Sequence, residues 1–290
     1  MEATREKTGC GEGAGAGALA DTDAKSEGRG SAAAMSGCVA TAVSDVAVSD
    51  GVAAASSAVA ATNTLQQDTL PMMPPPEHAP YFSAHGLELR TLAGFAYRGV
   101  DLEVARGQVA AVRGRNGSGK TALLLTLAGR MKSTGGTLTV DGFQLPRQRR
   151  KVERRVGLGL FAGLNDLQDS LTTAYAVGAE FELYGRNPRR EHVTDYLRSW
   201  QLEDVANVRV KDLTAEKLAE LGIALAFAGE PDAIVVDDIE DQLTMSQSKG
   251  LMELLLRAAR ERNAAIVVGV IERDLAAMAA TCVYLEKEGE

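Results

Sequence analysis

Gly114-Arg115-Asn116-Gly117-Ser118-Gly119-Lys120-Thr121 constrains what this chain can fold into more than any other stretch. It fits G-x-x-x-x-G-K-[ST], a loop whose glycines let successive backbone N–H groups wrap phosphates. The pattern needs a strand before it and a helix after it, and both are present. Gln108-Val-Ala-Ala-Val-Arg113 reads as a short buried strand, and Ala122-Leu-Leu-Leu-Thr-Leu-Ala128 is a run of strong helix formers. Strand, glycine loop and helix together aim a helix N-terminus at an anion. In that geometry Gly114, Arg115, Asn116, Gly117, Ser118 and Gly119 line the phosphate cradle. Lys120 reaches the β- and γ-phosphates, and the Thr121 hydroxyl ligates Mg²⁺. A nucleoside triphosphate, with Mg²⁺, is the expected ligand.

Composition bounds what surrounds the loop. Residues 1–80 contain no Phe, Trp or Tyr, are dominated by Ala, Gly, Ser and Thr, and close with Pro71-Met-Met-Pro-Pro-Pro76. So little large apolar surface does not offset chain entropy, which predicts a disordered tail over 1–80 and a folded unit over 81–290. The tail holds 4 Lys/Arg and 10 Asp/Glu against 27 and 29 in the remainder, so most of the net charge of −8 belongs to the tail. Neither part offers the basic surface that nucleic acid requires, and no nucleic-acid partner is expected.

No stretch approaches 18 apolar residues, and the Ala/Val-rich run from Cys38 to Ala61 is broken by Asp45 and Asp50. Ala34-Met-Ser-Gly-Cys38 has the outline of a lipoprotein cleavage site without the preceding hydrophobic region. Met1 and Met35 are both candidate starts. Cys10, Cys38 and Cys282 lack metal spacing and fit a reducing compartment, which places the chain in the cytoplasm.

From Tyr81 onward the pattern is α/β. Gly86-Leu-Glu-Leu-Arg90 and Gly99-Val-Asp-Leu-Glu-Val104 alternate like edge strands. Gly135-Gly-Thr-Leu-Thr-Val140 is a strand closed by an Asp141-Gly142 turn. The basic run from Arg147 to Arg155 reads as a solvated helix face, with anionic lipid contact as the alternative. Residues from Thr172 to Arg209 are helical, clearest over 174–184 and 191–200. A helix from Thr214 to Ala228, the strand Ala233-Ile-Val-Val-Asp237, a helix from Met245 to Arg262 and the strand Ala265-Ile-Val-Val-Gly269 follow. Strands alternating with helices predict a mostly parallel sheet covered on both faces, and Thr244-Met-Ser-Gln247 a capping box.

Asp237 ends an apolar strand 117 residues after Lys120, where a carboxylate can hold Mg²⁺ through water. Between the two lies Leu213-Thr-Ala-Glu-Lys217, followed by Leu218-Ala-Glu-Leu-Gly-Ile-Ala-Leu-Ala-Phe-Ala-Gly-Glu-Pro231. This arrangement resembles the ATP-binding subunit of ABC transporters over roughly residues 86–290. In that family an L-S-G-G-Q signature opens such a helix and a "dP" step leads into the metal-binding strand. The resemblance implies a P-loop NTPase cassette of ABC type: mostly parallel sheet, an antiparallel β edge, and a helical insertion at about 165–212. It also implies ATP as the nucleotide and Phe95 or Tyr97 as the aromatic stacked on adenine, the alternative being a core aromatic.

Several positions depart from the family's pattern. The signature Ser-Gly-Gly-Gln reads Thr214-Ala-Glu-Lys217, and Glu216 would bring a carboxylate toward a phosphate held by a second cassette. As an ordinary helix start, Thr214 is a cap and Glu216 a first-turn acid, and this is the reading we favour. The residue after Asp237, a Glu in the family, is Asp238, one methylene shorter. Val156-Gly-Leu-Gly-Leu-Phe-Ala-Gly163 holds no Gln, Val270, Ile271 and Glu272 stand where a histidine is expected, and Thr244 stands for an aspartate.

The phosphate and metal groups are intact while the hydrolysis groups are not, so the expectation is ATP binding with slow or absent turnover. The implied partners are a separate transmembrane permease subunit and a second ATP-binding cassette, identical or different. The implied location is the inner face of the cell membrane. The competing readings are a regulatory or scaffold module without turnover, and an ABC ATPase of translation or repair.

Overall fold

The computed structural model describes residues 79–92 and 94–286. The expected disordered tail lies outside the described residues but for its last two positions, as do Met35, Cys10 and Cys38.

Five parallel strands carry the site. They are β3 (Val109–Gly114), β6 (Val156–Leu158), β7 (Ala233–Val236), β8 (Ala265–Val270) and β9 (Thr281–Leu285), in the order β6-β7-β8-β3-β9. Every residue of β7 and β8 is buried, the mark of strands covered on both faces. Alternate side chains feed two cores. Ala111, Ile234, Val236, Ile266 and Val268 join a cluster with α5 (Ala215–Ala226) and α6 (Met245–Arg262). On the opposite face, Ala110, Val112, Val235 and Val267 pack with α1 (Lys120–Leu127).

The N-terminal strands form a sheet of their own. β2 (Gly94–Val104), β1 (Phe82–Thr91), β4 (Gly135–Val140) and β5 (Phe143–Leu145) pair antiparallel in that order. The reading of Gly86–Arg90 as an edge strand is therefore corrected: β1 bonds on one side to β2 and on the other to β4. Alternation reports one buried face and is silent on how many neighbours a strand has. The antiparallel part expected beside the parallel sheet is present as a four-stranded sheet of its own. Asp141 and Gly142 both have positive φ and join β4 to β5 as a two-residue hairpin.

α3 (Thr173–Leu183) and α4 (Arg190–Ser199) lie between β6 and α5 in the chain. Phe181, Val193, Leu197 and Trp200 bury into the same core as α5, with Trp200 stacked on Phe227 at 5.5 Å. The basic run is not one continuous solvated helix face. Its helix, α2 (Arg149–Glu153), is only five residues long, and Arg155 leaves the solvated face to bridge Asp141 (2.8 Å) and Asp232 (3.0 Å). Among the described residues no helix is long and apolar enough to cross a membrane.

Candidate functional site

The glycine loop leaves β3 and enters α1 under tight steric control. A β-carbon on Gly119 would overlap the Ala96 carbonyl of β2, and Gly119 has φ +91°, a conformation that only glycine adopts without strain. Gly114 lacks room as well, since Ser118 Oγ fills the space beside it. Lys120 is buried, and its Nζ donates to the Gly114 carbonyl (2.8 Å) and the Arg115 carbonyl (3.2 Å). The cation is thus folded into the loop whose N–H groups would face an anion. Ser118 Oγ is buried with no hydrogen-bond partner inside the protein.

The two ends of the sequence pattern meet here. The Thr121 hydroxyl donates to Asp237 Oδ2, bringing together residues 116 positions apart. Asp237 and Asp238 each keep one oxygen, Oδ1, buried and without a partner. Burial pushes the Asp237 carboxyl above the usual carboxylate range. The Asp238 charge adds to that push, while the Thr121 hydrogen bond and Lys120 oppose it. Gly269, at the end of β8, makes the room: a β-carbon there would come 2.6 Å from Asp237 Oδ1. One hydroxyl and two carboxylates with spare buried oxygens are hard donors that suit Mg²⁺. Asp238 has φ +41°, so its short side chain departs from a bent backbone.

A cavity of about 680 Å³ runs from Thr121, Asp237 and Asp238 to an apolar wall that includes Leu160, Leu167 and Leu218. The segment expected to supply a glutamine, Val156–Gly163, supplies Leu160 and Ala162 to that wall, while Phe161 is buried in the core. Phe95 and Tyr97, the two adenine candidates, are separated by burial. Tyr97 is 3% exposed and its hydroxyl donates to Thr126 Oγ1 at 2.8 Å, so it is a core aromatic. Phe95 is half-buried, with the Arg98 guanidinium 4.9 Å and the Arg90 guanidinium 5.6 Å from its ring centre.

At the start of α5, Thr214 caps the helix by accepting the Lys217 amide hydrogen bond. Glu216 accepts a hydrogen bond from Gln247 Nε2 (3.1 Å), and Gln247 closes the capping box of α6 with Thr244. Lys217 is committed to Glu220 and the Gln201 carbonyl. Two residues that sequence reasoning did not single out also border the site. Glu240 accepts from the Ile271 and Glu272 amides, and Arg113 Nε donates to the Ile271 carbonyl (3.2 Å). Their partners lie 31, 32 and 158 positions away, beyond any local pattern.

The parallel sheet, glycine loop and apposed strand-end carboxylate define a P-loop nucleotide-binding cassette. The sequence pattern of the family described as ABC transporter matches residues 97–240. The chain is 30% identical over 201 residues to the phosphonates import ATP-binding protein PhnC of Hyphomonas neptunium, covering 65% of this chain and 76% of that protein. It is 29% identical over 185 residues to the ABC transporter ATP-binding protein NatA of Bacillus subtilis, covering 63% and 75%. Among solved structures, cbiO1 from Clostridium perfringens superposes with a TM-score of 0.62 at 18% identity, covering 72% of this chain and 86% of that one. The dimeric bacterial cassette MJ0796 superposes with a TM-score of 0.61 at 22% identity, covering 71% and 94%. The chain belongs to the ATP-binding subunits of ABC transporters.

Proposed function

We propose that this subunit holds Mg²⁺-ATP on the glycine loop and couples its binding, with slow hydrolysis, to a separate membrane permease. The observation that carries the reading is the Thr121–Asp237 contact at the mouth of the loop, beside two unpartnered carboxylate oxygens. In this reading the loop amides from Gly114 to Gly119 take the phosphates. The Lys120 ammonium exchanges its two loop carbonyls for β- and γ-phosphate oxygens. Thr121 and Asp237 hold Mg²⁺, which when bound offsets phosphate charge. Phe95 offers a ring to adenine from the strand that touches Gly119. Asp238 orients water, one methylene short of the usual reach.

The extents we assign are a tail over 1–80 and a cassette over 81–290 with its helical insertion at about 165–212. Its working place in this reading is the inner face of the membrane, beside the permease and a second cassette. The names of relatives support a transport partner, and the dimeric description of one similar cassette supports a second copy or counterpart. A module without turnover is the second reading. Its support is that Glu216 and Lys217, at the α5 start, are bonded within their own chain. Replacing Lys120 tests the site: K120A should abolish binding of a fluorescent ATP analogue by the folded protein, and unchanged affinity would refute it.

A further inference from the structure

The peptide of Ile271, just past the end of β8, is held on both sides by charged side chains. Glu240 uses its two carboxylate oxygens separately, Oε2 for the Ile271 amide and Oε1 for the Glu272 amide at 3.0 Å. Arg113 donates to the Ile271 carbonyl and rests on the Tyr284 ring, 5.2 Å from its centre. Glu240 lies three residues after Asp237, on the loop that carries both site carboxylates. Arg113 is the residue before the glycine loop. The same corner is tight: the β-carbon position of Gly269 lies 2.6 Å from Asp237 Oδ1 and 3.4 Å from the Asp238 amide nitrogen.

We propose that Glu240 is a positioning residue, whose carboxylate fastens the loop of Asp237 and Asp238 to the segment after β8, with Arg113 extending the tie to the phosphate loop. Hydrogen bonds to an ionised acceptor are among the stronger ones, and a carboxylate spanning two adjacent amides fixes orientation as well as distance. The segment where the resemblance expects a histidine is thereby fixed by its backbone. The metal end and the phosphate end of the site then move as one body, and Asp237 keeps its aim at the Thr121 side. This rests on the ATP-binding reading above for its functional part alone.

The test compares wild type, E240A and E240Q as full chains. Amide hydrogen exchange is measured without nucleotide, and ATP affinity is measured with and without Mg²⁺. E240A should speed exchange at Ile271 and Glu272 by about tenfold or more while β8 stays protected. Its ATP affinity without Mg²⁺ should stay at the wild-type value, and the gain brought by Mg²⁺ should shrink several-fold. E240Q, which keeps one acceptor oxygen, should fall between, and it serves alone where E240A does not fold. Unchanged exchange at the two amides, exchange raised evenly through β8, or an unchanged Mg²⁺ gain would overturn the proposal. A wild type that binds no nucleotide would sink the ATP reading, and the exchange arm would still decide the tie.

Discussion

The phosphate loop and the start of α5 are both helix N-termini in the same cassette, and they treat their polar groups in opposite ways. Around Thr121 the structure leaves buried acceptors without partners on Ser118, Asp237 and Asp238, and loads one cation, Lys120, onto two carbonyls. At the α5 start the side chains of Thr214, Glu216 and Lys217 are all bonded within the chain. Unmade hydrogen bonds in a buried site cost stability, and three such groups gathered at the mouth of one glycine loop are what a bound ligand there would complete. A helix end whose side chains are satisfied internally has less to offer a phosphate. The difference is what the proposed function rests on: open polar groups at the phosphate loop, and internally bonded ones at the α5 start.

Breaking the loop end should have the largest effect. Gly119→Ala forces a β-carbon into the Ala96 carbonyl from a backbone that only glycine tolerates, at a strain cost of about 1–3 kcal/mol. We expect ATP affinity, followed by titration calorimetry, to fall by about ten- to hundredfold while the protein stays folded.

Asp237→Asn comes next. Burial raises the Asp237 carboxyl, so folding favours its protonated form relative to the unfolded chain. Its stabilising share is complete below the ordinary carboxylate value of about 3.9, and is lost as pH rises through the raised value. Asparagine removes that loss, so nucleotide-free D237N should melt higher at neutral pH, by roughly 2–4 °C per kcal/mol recovered. The Mg²⁺-dependent gain in ATP affinity should disappear in the same variant. In wild type that gain should grow as pH rises through the same window. A variant that melts lower and still responds to Mg²⁺ would break the comparison at its first term.

Glu216→Ala probes the other end. Losing the bond to Gln247 should cost about 1–2 kcal/mol in denaturant unfolding and leave ATP affinity alone. A change in affinity would mean that the two helix ends are not separate in function.

Much of the frame was readable from residue order. The glycine loop announced β3 and α1, and α6 runs from Met245 to Arg262 with the capping box expected of Thr244 and Gln247. The apolar run ending at Asp237 was sufficient to place a carboxylate near Thr121, because a parallel strand adjoining this site ends where its neighbours end. Three strands escaped. β5 and β6 are three residues each, too short for a period to register, and β9 shows its alternation only in Thr281-Cys-Val-Tyr-Leu285 at the far end of the chain. Burial separates Phe95 from Tyr97, which sequence left level: Tyr97 lies in the core and Phe95 is half-buried. Glu240 and Arg113 were invisible for another reason: a carboxylate that accepts backbone N–H groups places no demand on the identity of the partner residue.

The most direct test of the account is ATP binding and ATP turnover measured on one sample of the pure chain, wild type beside Asp238→Glu. The account predicts Mg²⁺-dependent ATP binding with turnover well below about 1 per second, and a gain of less than about tenfold in D238E. Turnover of tens per second by the wild type would contradict it, because the absent glutamine and histidine would then have working substitutes elsewhere in the chain.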